Sequence, residues 1–156
     1  AHQHEKLLFR PKTFADEAIP AGNGVAAVAL QRLGFLLGDG SFLRSAQNTL
    51  QSGKSAIEQY ASGHATMLDA LEEHLHPGEI IIIRGESEDA ASWHKAATLV
   101  YAPKRQVYLP TGNDGELPEA FVDKRAGDGT VAYVCQGHVC SEPLTTMDAM
   151  LAAIAE

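Results

Sequence analysis

The chain changes character at Pro77-Gly78, and that break constrains its fold more than any other feature. Before it, apolar residues recur in steps of three and four, the spacing of helix faces. After it, Glu79-Ile-Ile-Ile-Ile83 is a continuous β-branched run, the pattern of a strand covered on both faces. With 156 residues the chain makes one domain or two small ones. We divide it at the break: residues 1–76 form a helical segment and residues 77–156 a small α/β domain, α+β overall.

In the helical half, Leu7, Leu8 and Phe9 predict a helical turn, and Pro11 and Pro20 bracket an ordered loop that cannot be regular helix throughout. Gly22-Asn23-Gly24 opens the first helix, with Asn23 as its expected N-cap. Val25, Val28, Ala29, Leu33, Leu36 and Leu37 make this helix apolar nearly all round, so it is expected to pack on more than one side. Gly38-Asp39-Gly40 ends it, and Ser41 is expected to cap the second helix. There Phe42, Ala46, Leu50, Gly53, Ile57 and Tyr60 keep helical steps, with Gly53 marking a kink or an early stop. Ser62-Gly63 opens a third helix with a stripe of His64, Leu68, Leu71 and Leu75. Three antiparallel helices with short connections are an αα-hairpin and a half, which reads as an excerpt from a larger helical array.

In the α/β half, the isoleucine run is the first strand and Ser87 to Tyr101 a helix whose acidic start suits the helix dipole. Arg105 to Leu109 is the second strand, Asn113-Asp114-Gly115 a turn, and Leu117 to Phe121 one short helical turn. Thr130 to Val134 is the third strand. Thr145-x-x-Asp148 begins the last helix, with Met147, Met150, Leu151 and Ile154 facing inward. Strand–helix–strand predicts a right-handed parallel crossover. The expected sheet therefore has about three mainly parallel strands in the order 2-1-3. Trp93 and Tyr101 are expected as core aromatics.

Net charge is −8, and residues 77–156 carry 12 acids against 6 bases. An acidic surface disfavours nucleic acid and anionic membrane as partners. No apolar run approaches the roughly 20 residues that span a bilayer, and the isoleucine run Ile80 to Ile83 is strand-sized. The N-terminal Ala-His-Gln-His-Glu-Lys lacks the apolar middle of a signal peptide. Two cysteines do not make a disulfide scaffold and suit a reducing compartment, so a cytoplasmic location is expected. After the first strand, Arg84-Gly-Glu-Ser-Glu-Asp89 has neither a glycine-rich fingerprint nor a Walker lysine, and its three acids oppose phosphate binding.

Two constellations carry candidate chemistry. Cys135-x4-Cys140, with His138 between, fits three readings: thiols that stabilise a turn, a structural disulfide, or a redox or metal role. Zinc wants four ligands, no second cysteine cluster exists, and the other histidines are scattered on helices. No metal and no cofactor is expected. The second constellation is Arg10, Lys12, Asp16, Glu17 and Asn23. Acids and bases on an ordered loop at a helix N-terminus suit sugar-hydroxyl recognition, and a carboxylate pair suits acid–base work. The plainer reading is a solvated loop with a helix cap. His74 and His76, near a helix end, complement its dipole.

These two segments also carry a resemblance. Arg10-Pro-Lys12, Asp16 and Pro20-Ala-Gly-Asn-Gly24 lead into an apolar helix that ends at Leu37-Gly-Asp39, and Tyr133-Val-Cys135-x4-Cys140-x-x-Pro143 follows near the C-terminus. The set resembles the thioredoxin-domain-containing proteins of the YyaL and spermatogenesis-associated type, over essentially the whole chain but only their C-terminal quarter or so. The resemblance implies an N-terminal thioredoxin-like domain with its own cysteine motif, then a six-hairpin α/α toroid similar to N-acylglucosamine 2-epimerases and glycosidase-like folds. Residues 1–76 would be the toroid's last helices and 77–156 a docking appendage. The implied partners are the preceding domains of the same polypeptide and a small sugar ligand. The family's reaction is not established; a sugar-acting parent is implied, and an isolated chain without turnover. Asp16 and Glu17 become catalytic candidates lining the cavity, with Arg10, Lys12 and Asn23 binding substrate. Ala21 stands where such proteins commonly show serine.

Overall fold

The computed structural model describes residues 12–85, 88–111, 121, 124 and 129–155. The expected helical turn at Leu7–Phe9, Arg10, Ser87 and the turn at Asn113–Gly115 lie outside the described residues, as does Leu117–Phe121 apart from Phe121. Among the described residues, α1 (Gly22–Leu37), α2 (Gly40–Gln59), a 3-10 turn (Ala61–Gly63) and α3 (Ala65–Leu75) precede the break. After it come β1 (Glu79–Arg84), α4 (Glu88–Leu99), β2 (Gln106–Tyr108), β3 (Val131–Gln136), β4 (Val139–Cys140) and α5 (Met147–Ala153).

The three helices pack around Ala27, Leu50, Met67 and Ala70, with Phe14, Val28, Ile57 and Leu71 at the margin. Gly38 ends α1 in the left-handed region (φ 68°), and its N–H donates to Gly34 O. The cap of α2 is Asp39 rather than Ser41: Asp39 has the extended backbone, and its carboxylate accepts from Ser41 N at 2.8 Å. Gly53 does not stop α2, which continues to Gln59. It gives close approach instead, because a Cβ there would sit 2.7 Å from Met67 Cε and 3.0 Å from Phe14 Cδ1. The inward row of α3 is His64, Met67, Ala70 and Glu73, while Leu68 and Leu75 of the expected stripe face outward. Gln31 is buried in α1 and crosslinks the helices, its Nε2 donating to Ala70 O at 2.9 Å and Ala27 O at 3.2 Å.

The sheet has four strands in the order β2-β1-β3-β4. Only β1 and β2 are parallel, joined through α4; β3 runs antiparallel to β1, and β4 antiparallel to β3. The expectation of mainly parallel strands is thus corrected, although the order of the first three stands. A two-residue connection between β3 and β4 permits only antiparallel pairing, and apolar runs reveal that a strand exists without revealing its direction. Ile81 and Ile83 meet α4 and α5 through Trp93, Ala97, Met150 and Ile154. Ile80 and Ile82 meet the other layer, Phe121 and the C-terminal turn of α1 at Phe35, Leu36 and Leu37. Strand β1 is therefore covered on both faces. Trp93 is in the core, whereas Tyr101 lies past the end of α4 and is 91% exposed. The cap of α5 is Thr146, accepting from Ala149 N, one residue later than expected.

Beyond this shared core, polar contacts tie the two halves. Glu73, on α3, accepts from Arg32 at 3.2 Å and from Gly78 N at 3.1 Å. Lys104 pairs with Glu72 at 2.9 Å. Gln136 donates to Pro77 O at 3.1 Å.

Candidate functional site

Close contacts between α1 and α3 advance in the same direction, from Gly24 on Thr66 to Gln31 on Ala70 and Arg32 on Glu73. The two helices are therefore parallel, and their N-termini meet at one end of the molecule. Neither has a side-chain cap of its own: the residues at the cap positions are Ala21 and His64. The loop before α1 supplies one. Asp16 Oδ1 accepts from Ala21 N at 2.7 Å and from Thr66 Oγ1 at 2.6 Å, and Oδ2 accepts from Thr66 N at 2.9 Å. Asp16 N in turn donates to Gly63 O at 2.8 Å. A carboxylate placed at two helix N-termini meets two positive dipole ends as well as these donors. The Thr66 hydroxyl, then the Thr66 and Ala21 N–H groups, hold the Asp16 carboxyl below its ordinary value of 3.8.

The other members of this constellation divide. Asn23 does not cap α1; its Nδ2 donates to Thr13 O at 2.7 Å and holds the loop from the helix side. Glu17 and Lys12 are exposed, and Glu17 N donates to Ile19 O. Arg10 lies outside the described residues. Asp16 and Asn23 thus fix the loop, while Lys12 and Glu17 are presented to solvent on it. Sequence reasoning missed Thr66, which supplies two of the three donors to Asp16. His64, expected in the stripe of the third helix, is buried and sits with Nδ1 2.7 Å from Tyr60 O. Thr66 lies 50 residues from Asp16, so no local spacing reports the pair.

At the other end of the chain, Cys135 and Cys140 are directly opposed across the β3–β4 hairpin and joined by a disulfide, with Cα atoms 3.9 Å apart. Gly137 opens the turn in the left-handed region (φ 59°), where glycine has no steric penalty. His138 packs its ring edge-on against Phe35, with centroids 5.2 Å apart. Among the described residues, no group of three or more His, Cys, Asp or Glu side chains is placed to hold a metal ion. Nor is any described helix long and apolar enough to cross a membrane.

Among the described residues, two surfaces stand out as apolar and exposed. On α1, Gly22, Val25, Ala26, Ala29 and Leu33 share the side opposite the buried Gly24, Ala27, Gln31 and Gly34. Val25 is 50% and Leu33 42% exposed, and no charge interrupts this face. Between α2 and α3, Leu50, Ile57 and Leu71 floor a groove of about 320 Å³, rimmed by Lys54, Glu58 and His74.

Comparison with known proteins adds one similarity to this geometry. The chain is similar to human spermatogenesis-associated protein 20. The match is 26% identical over 146 residues, covering 89% of this chain and 19% of the relative. The chain therefore spans about a fifth of the length of spermatogenesis-associated protein 20. No family model matches it, and neither does any solved structure.

Proposed function

We propose that this chain is the C-terminal part of a longer thioredoxin-domain-containing protein akin to spermatogenesis-associated protein 20. In this reading its three helices close an α/α toroid that preceding helices of the same polypeptide build, and residues 77–156 dock that end of the ring. The observation that carries the reading is the outward side of α1, an uncharged, half-exposed apolar helix face opposite a buried one. A helix apolar on both sides is of the kind usually packed on both. That this chain spans 19% of the relative is in keeping with a longer polypeptide.

In the same proposal the parent is a cytoplasmic, carbohydrate-related protein whose reaction is not established. The ring cavity takes a small sugar at the loop before α1. Asp16 and Asn23 hold that loop, and Lys12 and Glu17, exposed on it, are the groups that meet the hydroxyls.

The test pairs two proteins. Val25→Lys with Leu33→Lys leaves the melting temperature of the isolated 156-residue chain unchanged or raises it, since the face is wet there. In the full-length polypeptide the same pair lowers the melting temperature and opens the helical region to protease. A full-length protein indifferent to both lysines sinks the proposal. For the sugar, a monosaccharide screen on the full-length protein should return a ligand whose binding weakens in Glu17→Gln.

A further inference from the structure

We infer that the Cys135–Cys140 disulfide is a thiol-exchange site, with Cys140 the sulfur that accepts an incoming small thiol and Cys135 the one that leaves. The two cysteines are opposed in register but differently placed. Cys140 is exposed on the two-residue edge strand β4, whereas Cys135 is 4% exposed among Ile80, Ile82 and Phe121. An attacking thiolate must reach one sulfur along the line of the bond, and access decides which. A cleft of about 170 Å³ opens beside the pair, lined by Lys124 and His138 as well as both cysteines. Lys124 and His138 are the polar side chains of that cleft, whereas Cys135 is otherwise surrounded by apolar ones.

The exchange balances without any further reagent. The thiolate of a small thiol such as glutathione bonds to Cys140 Sγ as the Sγ–Sγ bond breaks. The electron pair leaves on Cys135 Sγ, which takes a proton from solvent. A second thiol then attacks the glutathione sulfur of the mixed disulfide, forming glutathione disulfide and releasing Cys140 as thiolate. Two thiols are oxidised and one protein disulfide is reduced.

The hairpin that the disulfide closes is also a clip between the two halves of the molecule. His138 rests on Phe35 of α1, and Gln136 holds Pro77 O at the break. Strand β4 pairs with β3 at two positions, one of them the cysteine pair itself, and the chain beyond it stays on β3 through Ser141 and Leu144. Breaking the bond removes the covalent closure of the turn at Gly137 and His138, so the turn end of the clip loosens first while Ser141 and Leu144 stay bonded to Val134 and Ala132.

The experiment titrates the purified chain with reduced and oxidised glutathione, reads adducts by intact mass and peptide mapping, and follows hydrogen exchange. The native chain should pass through one glutathione adduct, mapped to Cys140. Cys135→Ser, which leaves Cys140 free, should take the adduct from glutathione disulfide at least about tenfold faster than Cys140→Ser, which leaves only the buried sulfur. Reduction should speed exchange by about tenfold in residues 134–140 and in the last turn of α1, leaving β1 unchanged. An adduct on Cys135, equal rates in the two variants, or a native disulfide inert to glutathione while the chain is folded would each overturn the exchange site. Unchanged hydrogen exchange on reduction would overturn the clip. The native-chain arm stands even if a variant folds poorly.

Discussion

Asp16 shows how one residue can be legible in kind and illegible in role. Its place on a loop before a helix marked it as a candidate acid, and the structure surrounds it with three donors from two helix N-termini. Asp16→Asn keeps the shape but removes the charge and half of the acceptor capacity, so its melting temperature should fall by several degrees at neutral pH. Because the folded-state pKa of Asp16 is depressed, its stabilisation is complete above the ordinary value of 3.8 and is lost as pH falls through the folded value. The melting curves of wild type and Asp16→Asn should therefore converge as pH drops below 3.8. A gap that stays constant to lower pH would show that the charge is not what holds the loop.

At the scale of elements, close approach and capping set the helices. A Cβ on Gly24 would lie 2.8 Å from the backbone carbon of Thr66, whereas at Gly53 the nearest atom is the mobile methyl of Met67. Alanine gains up to about 1 kcal/mol over glycine in helix propensity, but displacing a packed backbone costs about 1–3 kcal/mol. Gly24→Ala should therefore destabilise the chain in chemical denaturation, and Gly53→Ala should cost less. Thr146→Ala removes the cap of α5, and that should lower stability by about 1 kcal/mol. Truncating Ile81, fully buried between sheet and helices, to alanine should cost about 2–5 kcal/mol. Helix existence, the break at Pro77-Gly78 and the inward residues of α5 were legible because period and punctuation are local. The cap positions and the face of α3 were not, since they depend on which neighbour arrives.

At the scale of the whole molecule, Glu73 is the tie. It is buried, faces Arg32 on α1, and holds Gly78 N ahead of β1, so it joins two helices to the sheet. Glu73→Ala leaves both donors without their acceptor. The loss should be about 2 kcal/mol, below that of a fully buried pair because Arg32 keeps 34% of its side chain in water. Lys104→Ala, which breaks the half-exposed pair with Glu72, should change stability by less than about 1 kcal/mol. A larger loss at Lys104 than at Glu73 would reverse this picture of how the halves are held.

What the sequence determined by itself was the order of the four long helices and last helix with the first three strands, though not β4, and the two-sided burial of β1, because apolar period, proline and glycine act within a few residues. The apolar circumference of α1 was equally plain from its composition, and the half-exposed Val25 and Leu33 remain its visible consequence. Only the tertiary structure decided the direction of β3, which side of α3 is buried, the opposition of the two cysteines and the partners of Asp16. Each of these depends on pairing across the chain, as far as the 50 residues from Asp16 to Thr66, where one sequence carries no distance information.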